Sequence, residues 1–230
     1  MRGILILYLT KTFLEGGLAF DEGTASLIYG WFTGFVYFTP LIGGWLADKY
    51  LGQRLSITIG GLTMMVGQLI LFSIGSHTGL YLGLFLLIIG NGFFKPNIST
   101  LVGGLYKDGD ERRDSAFSIF YMGINLGAFF SPLVCGSLGD TGNIHDFKWG
   151  FLAACIGMII SVISFEVLKN KLLKTPDGEA VGMPKAKMDL KTTAIIVGTV
   201  GLIFFLLNFK TMFHVDFDII AYLIYASIRS

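Results

Sequence analysis

A lysine and a proline stand side by side in "GNGFFKPNIST" (Gly90 to Thr100), inside an otherwise apolar run. An ammonium near the middle of a bilayer costs about 2.5–3.5 kcal/mol even on the lenient insertion scale, so Lys95 is expected to face the interior of a helix bundle. It sits about ten residues, or roughly 15 Å, from the end of its run, near the midplane. Pro96 removes one backbone donor and bends the helix, and Asn91 and Asn97 add polar groups beside it. Three readings are open for the cation: it meets an anionic substrate group or acidic partner, a structural salt bridge neutralises it, or the span boundary lies elsewhere than the apolar run suggests. A second cation, Arg2, lies roughly 14 Å deep, counted back from Lys11. If Met1 is the true start, Arg2 is an interfacial anchor instead. Two interior cations without an interior carboxylate leave positive charge that calls for an anion, either a substrate carboxylate or acidic side chains outside this sequence. Tyr37 and Asn125 fall at similar depth and can each hydrogen-bond a ligand, although bonding between helices is the commoner use of such residues.

These residues need a membrane-embedded helical frame, and the composition supplies one. The chain is 53% hydrophobic and only 14% charged, with a mean hydropathy of +0.69, which points to an integral membrane protein. A net charge of +1 without a basic tract argues against a nucleic-acid partner. No Cys/His spacing resembles a metal site. Cys135 and Cys155 fall in apolar spans and read as packing residues. The N-terminus has no small-residue cleavage site after its apolar run, so no cleavable signal peptide is expected.

Apolar runs predict spans near 1–14, 23–46, 55–75, 80–105, 115–138 and 148–170, which together make a bundle over 1–172. A polar linker is expected over 173–190, then two hairpin helices over 191–230, the second incomplete. The first span is also expected to be incomplete. A helix from Met1 to Phe13 reaches roughly 20 Å against a core of about 30 Å, which suggests that Met1 is internal to a longer protein. The loops at 47–54 and 106–114 hold Lys49, Arg54, Lys107, Arg112 and Arg113, whereas those at 15–22, 76–79 and 139–147 hold no Lys or Arg. That asymmetry predicts a cytoplasmic N-terminus and a cytoplasmic linker.

"FTPLIGGWLAD" (Phe38 to Asp48) aligns without a gap with "FSPLVCGSLGD" (Phe130 to Asp140). One copy ends a span running inward and the other a span running outward, the mark of a three-plus-three inverted repeat. Chance is a competitor, since Gly, Leu and Pro abound in such spans. In "GGWLADKYLGQRLSI" (Gly43 to Ile57), Asp48 and Arg54 flank a Gly52 turn at the membrane edge. An acid and a base there can latch one helix to a neighbour's end, or be ordinary anchors of a solvated loop. His77, His145 and His214 fall in outer loops and read as solvated. "KDGDERRD" (Lys107 to Asp114) reads as a solvated turn, with Ser115 as a cap for the next span.

These motifs carry a family resemblance. "GGWLADKYLGQR" resembles the signature loop of major facilitator transporters. "GNGFFKPNIS" and "FSIFYMGINLGAF" (Phe117 to Phe129) resemble the fourth- and fifth-span motifs of the proton-coupled oligopeptide transporters. The resemblance covers nearly the whole chain. It implies an all-α membrane protein: a major facilitator N-terminal six-helix bundle plus part of a linker hairpin. Lys95 is similar to the fourth-span lysine that neutralises first-span acids and helps hold the peptide carboxylate. Arg2 is similar to the first-span arginine of the same pocket, Tyr37 to a second-span tyrosine that contacts peptide, and Asn125 to the fifth-span asparagine near the peptide's amino end. Asp48 and Arg54 take the latch positions.

The family's two first-span glutamates would lie just upstream of Met1, and its six C-terminal spans, with an acidic residue tied to proton coupling, are absent from this sequence. The expected function is proton-coupled symport of di- and tripeptides across a bacterial plasma membrane, with no enzymatic activity and no cofactor beyond the proton gradient. Its partners would be peptide, protons, lipid and a second six-helix bundle. Another anion symporter of this fold, for example for nitrate, and a non-transporting fragment that binds a ligand or partner helices are the alternatives.

Overall fold

The computed structural model describes residues 2–107, 109–141 and 146–184. The expected hairpin over 191–230, His145, His214 and the side chain of Arg2 lie outside the described residues.

Helices α1 (Arg2–Thr10), α2 (Glu22–Leu46), α3 (Gly52–Ser73), α4 (His77–Gly104), α5 (Arg112–Gly139) and α6 (Phe147–Leu172) follow one another in the chain. At 1.5 Å per residue, α2 to α6 are each roughly 33–42 Å long, enough to cross a hydrocarbon core of about 30 Å. Their ends are set by local chemistry. Asp21 caps α2 by accepting from the Thr24 N–H at 2.8 Å, and Ser76 caps α4 through the Gly79 N–H at 3.2 Å. Ser115 does not cap α5, contrary to expectation. The Asp110 carboxylate takes the Arg112 N–H at 3.0 Å, so the helix begins at Arg112 and Ser115 lies inside it.

Helical structure runs unbroken for 52 residues from Glu22 to Ser73, yet α2 and α3 both pack on α4. The chain reverses through a π turn at Ala47–Leu51 and at Gly52, whose φ of +73° favours glycine. The centre of the bundle is α3 against α4 and α6, with α2 on the far side of α4 and α5 on α6. Leu80, Leu84 and Ile88 of α4, Leu5 and Leu9 of α1, and Phe151 of α6 are fully buried. Helix α5 buries only Cys135 and Gly139 and is otherwise exposed or half-buried. Both cysteines are free and buried.

Candidate functional site

Lys95 and Tyr37 meet. The Lys95 Nζ stands 5.3 Å from the centre of the Tyr37 ring, within the range of a cation–π contact, which contributes about 0.5–1 kcal/mol at an exposed site and more where water is excluded. Each residue lies nine positions before the last residue of its helix, Leu46 for α2 and Gly104 for α4. The two helices run in the same direction, so the side chains share one depth. Both are exposed on the bundle, which leaves the ammonium open to a further anion.

The helix pair that carries them is tightly braced. Pro96 has no N–H, so the Gly92 carbonyl lacks its usual helical donor. Gly43 of α2 rests on that carbonyl so closely that a Cβ there would lie 2.1 Å from the Gly92 oxygen. Three side chains then bond across the seam to main-chain carbonyls. Asn91 Nδ2 donates to Val36 O at 2.9 Å, Thr39 Oγ1 to Ile88 O at 3.0 Å, and Asn97 Nδ2 to Gly43 O at 3.3 Å. Asn97 is 1% exposed and also donates to Phe93 O at 2.7 Å. In an apolar medium such close contact and bonding hold helices together where burial of greasy surface gives no advantage. Sequence reasoning noted Asn91 and Asn97 only as polar neighbours. The glycine–proline spacing hinted at the seam but could not say which helix would close it.

Asn125 lies on the exposed face of α5 and takes no part in the Lys95–Tyr37 contact. Arg2 begins α1.

At the end of the bundle that bears the basic loops, Asp48 and Arg54 turn to different partners. Asp48 accepts from Gln53 Nε2 at 2.7 Å. Arg54, only 8% exposed, reaches α6 and the chain beyond it: Nε donates to Val181 O at 2.6 Å, one terminal nitrogen to Asn170 Oδ1 at 3.1 Å, and the other to Leu173 O. Its backbone N–H donates to Gly182 O at 3.1 Å. The segment so held folds back on itself, with Lys174 bridged to Ala180 and Val181 N–H donating to Leu173 O at 3.2 Å. It covers Gly52, where a Cβ would lie 2.6 Å from Gly182 O. Lys107 pairs with Asp177 at 2.7 Å on its outer side. Nearby, Thr58 of α3 donates to the Glu166 carboxylate of α6. A planar guanidinium suits this role because it presents several donors in fixed directions.

Two hollows lie away from these residues. One of about 500 Å³ runs between α5 and α6 past Leu138, Thr141, Asp146 and Trp149. The other, about 530 Å³, is lined by Tyr8, Leu71, Phe72 and Lys148. Neither is lined by Lys95, Tyr37 or Asn125.

Residues 54–201, more than half of the chain, match the POT family. The chain belongs to the POT family. Among relatives, an uncharacterized transporter, YclF of Bacillus subtilis (strain 168), is 43% identical over 195 residues, covering 85% of this chain and 39% of the relative. A di-/tripeptide transporter of Lactococcus lactis subsp. cremoris is 37% identical over 216 residues, covering 91% of this chain and 42% of the relative. The crystal structure of a POT family transporter in complex with a thioalcohol-conjugated peptide superposes with a TM-score of 0.80 at 33% identity, over 96% of this chain and 45% of the other. This POT family chain therefore has the helical major facilitator fold expected from its motifs, and it is a multi-pass membrane protein. It spans about four tenths of the length of the curated relatives it matches.

Proposed function

We propose that this chain supplies the N-terminal six-helix bundle of a proton-coupled symporter that carries di- and tripeptides inward across a bacterial plasma membrane. The observation that carries the reading is the Lys95 ammonium, held over Tyr37 at one depth on the exposed face of a braced helix pair. A peptide has a carboxylate at one end, and a fixed cation inside the bilayer is the natural counter-charge for it. The names of relatives support the same substrate class, since the Lactococcus protein is a di-/tripeptide transporter.

In this reading Lys95 and Arg2 hold the carboxylate, and Tyr37 and Asn125 hydrogen-bond the peptide. A second bundle, absent from this chain, closes the pocket. The basic end, with Arg54 and the segment beyond α6, faces the cytoplasm. The two bundles rock about the midplane site to give alternating access, and Asp48 and Arg54 latch helix ends in one of the two states. Protonation of a carboxylate outside this chain weakens its pairing with the cations and so links the proton to the peptide. No cofactor is required and no bond is broken.

The test is uptake of labelled dialanine into liposomes holding the complete product of the reading frame, with the outside made acid. Uptake that rises with the gradient and collapses when a protonophore is added supports the proposal. Correctly folded protein that takes up nothing, or takes up dialanine equally without a gradient, overturns it.

A further inference from the structure

Lys95 can select a carboxylate only if its helix holds a fixed distance and rotation relative to α2. The residues that fix both flank it. Asn91 lies four residues before Lys95 and bonds Val36 O, the carbonyl next to Tyr37. Asn97 lies two residues after Lys95 and bonds Gly43 O, on the same helix and nearer the basic end. A lysine has a long, rotatable stem, so its aim follows from the position of the backbone and from what the ammonium can rest against. Here the rest is the Tyr37 ring, and the two asparagines pin α2 on either side of that ring.

The Asn97 amide is not an economical way to stabilise a helix seam. The Asn97 side chain is almost fully buried, and its Oδ1 meets no donor among the described residues. A buried amide satisfied at one end only is costly compared with an apolar residue of the same size. What the amide adds is direction, because Nδ2 must point at one carbonyl and so fixes the register between the helices. Pro96 gives register special weight at this point. Pro96 leaves α4 without one of its own hydrogen bonds next to Lys95, so the cross-helix bonds replace internal stiffness that the helix has lost.

We infer that Asn91 and Asn97 are positioning residues for Lys95: by tying α4 to Val36 and Gly43 of α2 they hold its ammonium over Tyr37, in the place where a substrate carboxylate is recognised. The inference rests on the peptide reading above and adds a specificity device to it.

The experiment measures Kd for dialanine and for dialanine amide, which lacks the carboxylate, on the purified complete protein and its Asn91→Ala, Asn97→Ala and Lys95→Ala variants. The readout is the ratio of the two values. Preference for the free acid is expected to be at least about tenfold in the wild type and close to one in Lys95→Ala. In each asparagine variant it is expected to fall by about fivefold or more toward the Lys95→Ala value, as couplings between contacting residues commonly amount to such factors. A purely structural role lowers the fraction of competent protein, which weakens both ligands together and leaves the ratio at its wild-type value. A wild-type ratio in both asparagine variants therefore overturns the inference and leaves the transport reading standing. Asn91 is only half-buried, so its variant keeps the test informative if Asn97→Ala does not fold. A wild-type protein that ignores dialanine, or binds acid and amide alike, removes the peptide-carboxylate reading itself.

Discussion

Gly43 and Gly92 touch main chain to main chain: a Cβ on Gly43 would come within 2.1 Å of the Gly92 oxygen. The contact forms where Pro96 leaves that carbonyl without a helical donor, one turn from Lys95. The proline and glycines of the two helices are therefore parts of one device. Close approach of α2 brings Tyr37 to the depth of Lys95, and the approach is possible because neither partner carries a side chain.

This contact predicts a sharp difference between glycines. Gly43→Ala must push α2 off the α4 backbone and is expected to destabilise the protein by about 1–3 kcal/mol, as overpacking does. Gly157 of α6 has nothing within 4 Å of a notional Cβ, and Gly157→Ala is expected to be neutral or slightly stabilising. Unfolding in denaturing detergent, followed by circular dichroism, compares the two. Equal midpoints would show that the seam is not tight.

Arg54 holds the segment after α6 through Asn170, Leu173 and Val181. Hydrogen bonds from a charged donor contribute about 1.5–3 kcal/mol. Arg54→Ala is therefore expected to raise amide exchange in the Leu173–Val181 turn by about tenfold or more, with α3 and α6 changed much less. Arg54→Lys should behave more like alanine than like arginine, since an ammonium cannot reach three diverging acceptors. Hydrogen exchange read by mass spectrometry tests both, and unchanged protection in Arg54→Ala would remove the clasp.

The same segment crosses the end of α4, where a Cβ on Gly104 would lie 2.9 Å from Val181 Cγ1. A Gly104→Cys, Val181→Cys pair is expected to form a disulfide under mild oxidation, because the two positions are in direct contact and a disulfide needs such close approach. Cys135 and Cys155 are buried and should not compete. The shift in mobility on a non-reducing gel reports it. Failure to cross-link would place the segment elsewhere.

The clasp should also loosen in alkali. The hydrogen bond to Asp177 raises the Lys107 amine above its ordinary value. A raised folded-state pKa means that the pair's contribution is fully present below the ordinary lysine pKa and is lost as pH rises through the raised one. A spin label at Ala180→Cys is therefore expected to become more mobile between about pH 10 and 12. In Lys107→Met it should be mobile already and insensitive to that change. Both residues are exposed, so high salt should weaken the pair as well. A label with the same pH response in both proteins would rule out the pair.

The helical class and family were legible in the sequence because both rest on local pattern: apolar run length, and motifs such as "GGWLADKYLGQR" and "GNGFFKPNIS". The helix ends were less so. Hydropathy reports where lipid begins, whereas a helix continues as long as its hydrogen bonds are met, so α5 starts at Arg112 among charged residues. The depth of Lys95 and Tyr37 followed from counting along their runs. Their contact did not, because it depends on which face of α2 meets α4, and that is decided by the Gly43–Gly92 approach and the Asn91 and Asn97 bonds. Arg54 shows the same limit. Its charge and place beside Gly52 suggested a latch, but its partners at Leu173 and Val181 are more than 100 residues away, and they are backbone carbonyls, which every residue has.

The most direct measurement is gradient-driven dialanine uptake by the complete protein carrying Lys95→Ala, beside wild type at equal amounts of folded protein in the same liposomes. Accumulation against the concentration gradient is expected in the wild type and abolished in the variant. Wild-type accumulation by Lys95→Ala would contradict the claim that this mid-helix cation recognises the substrate.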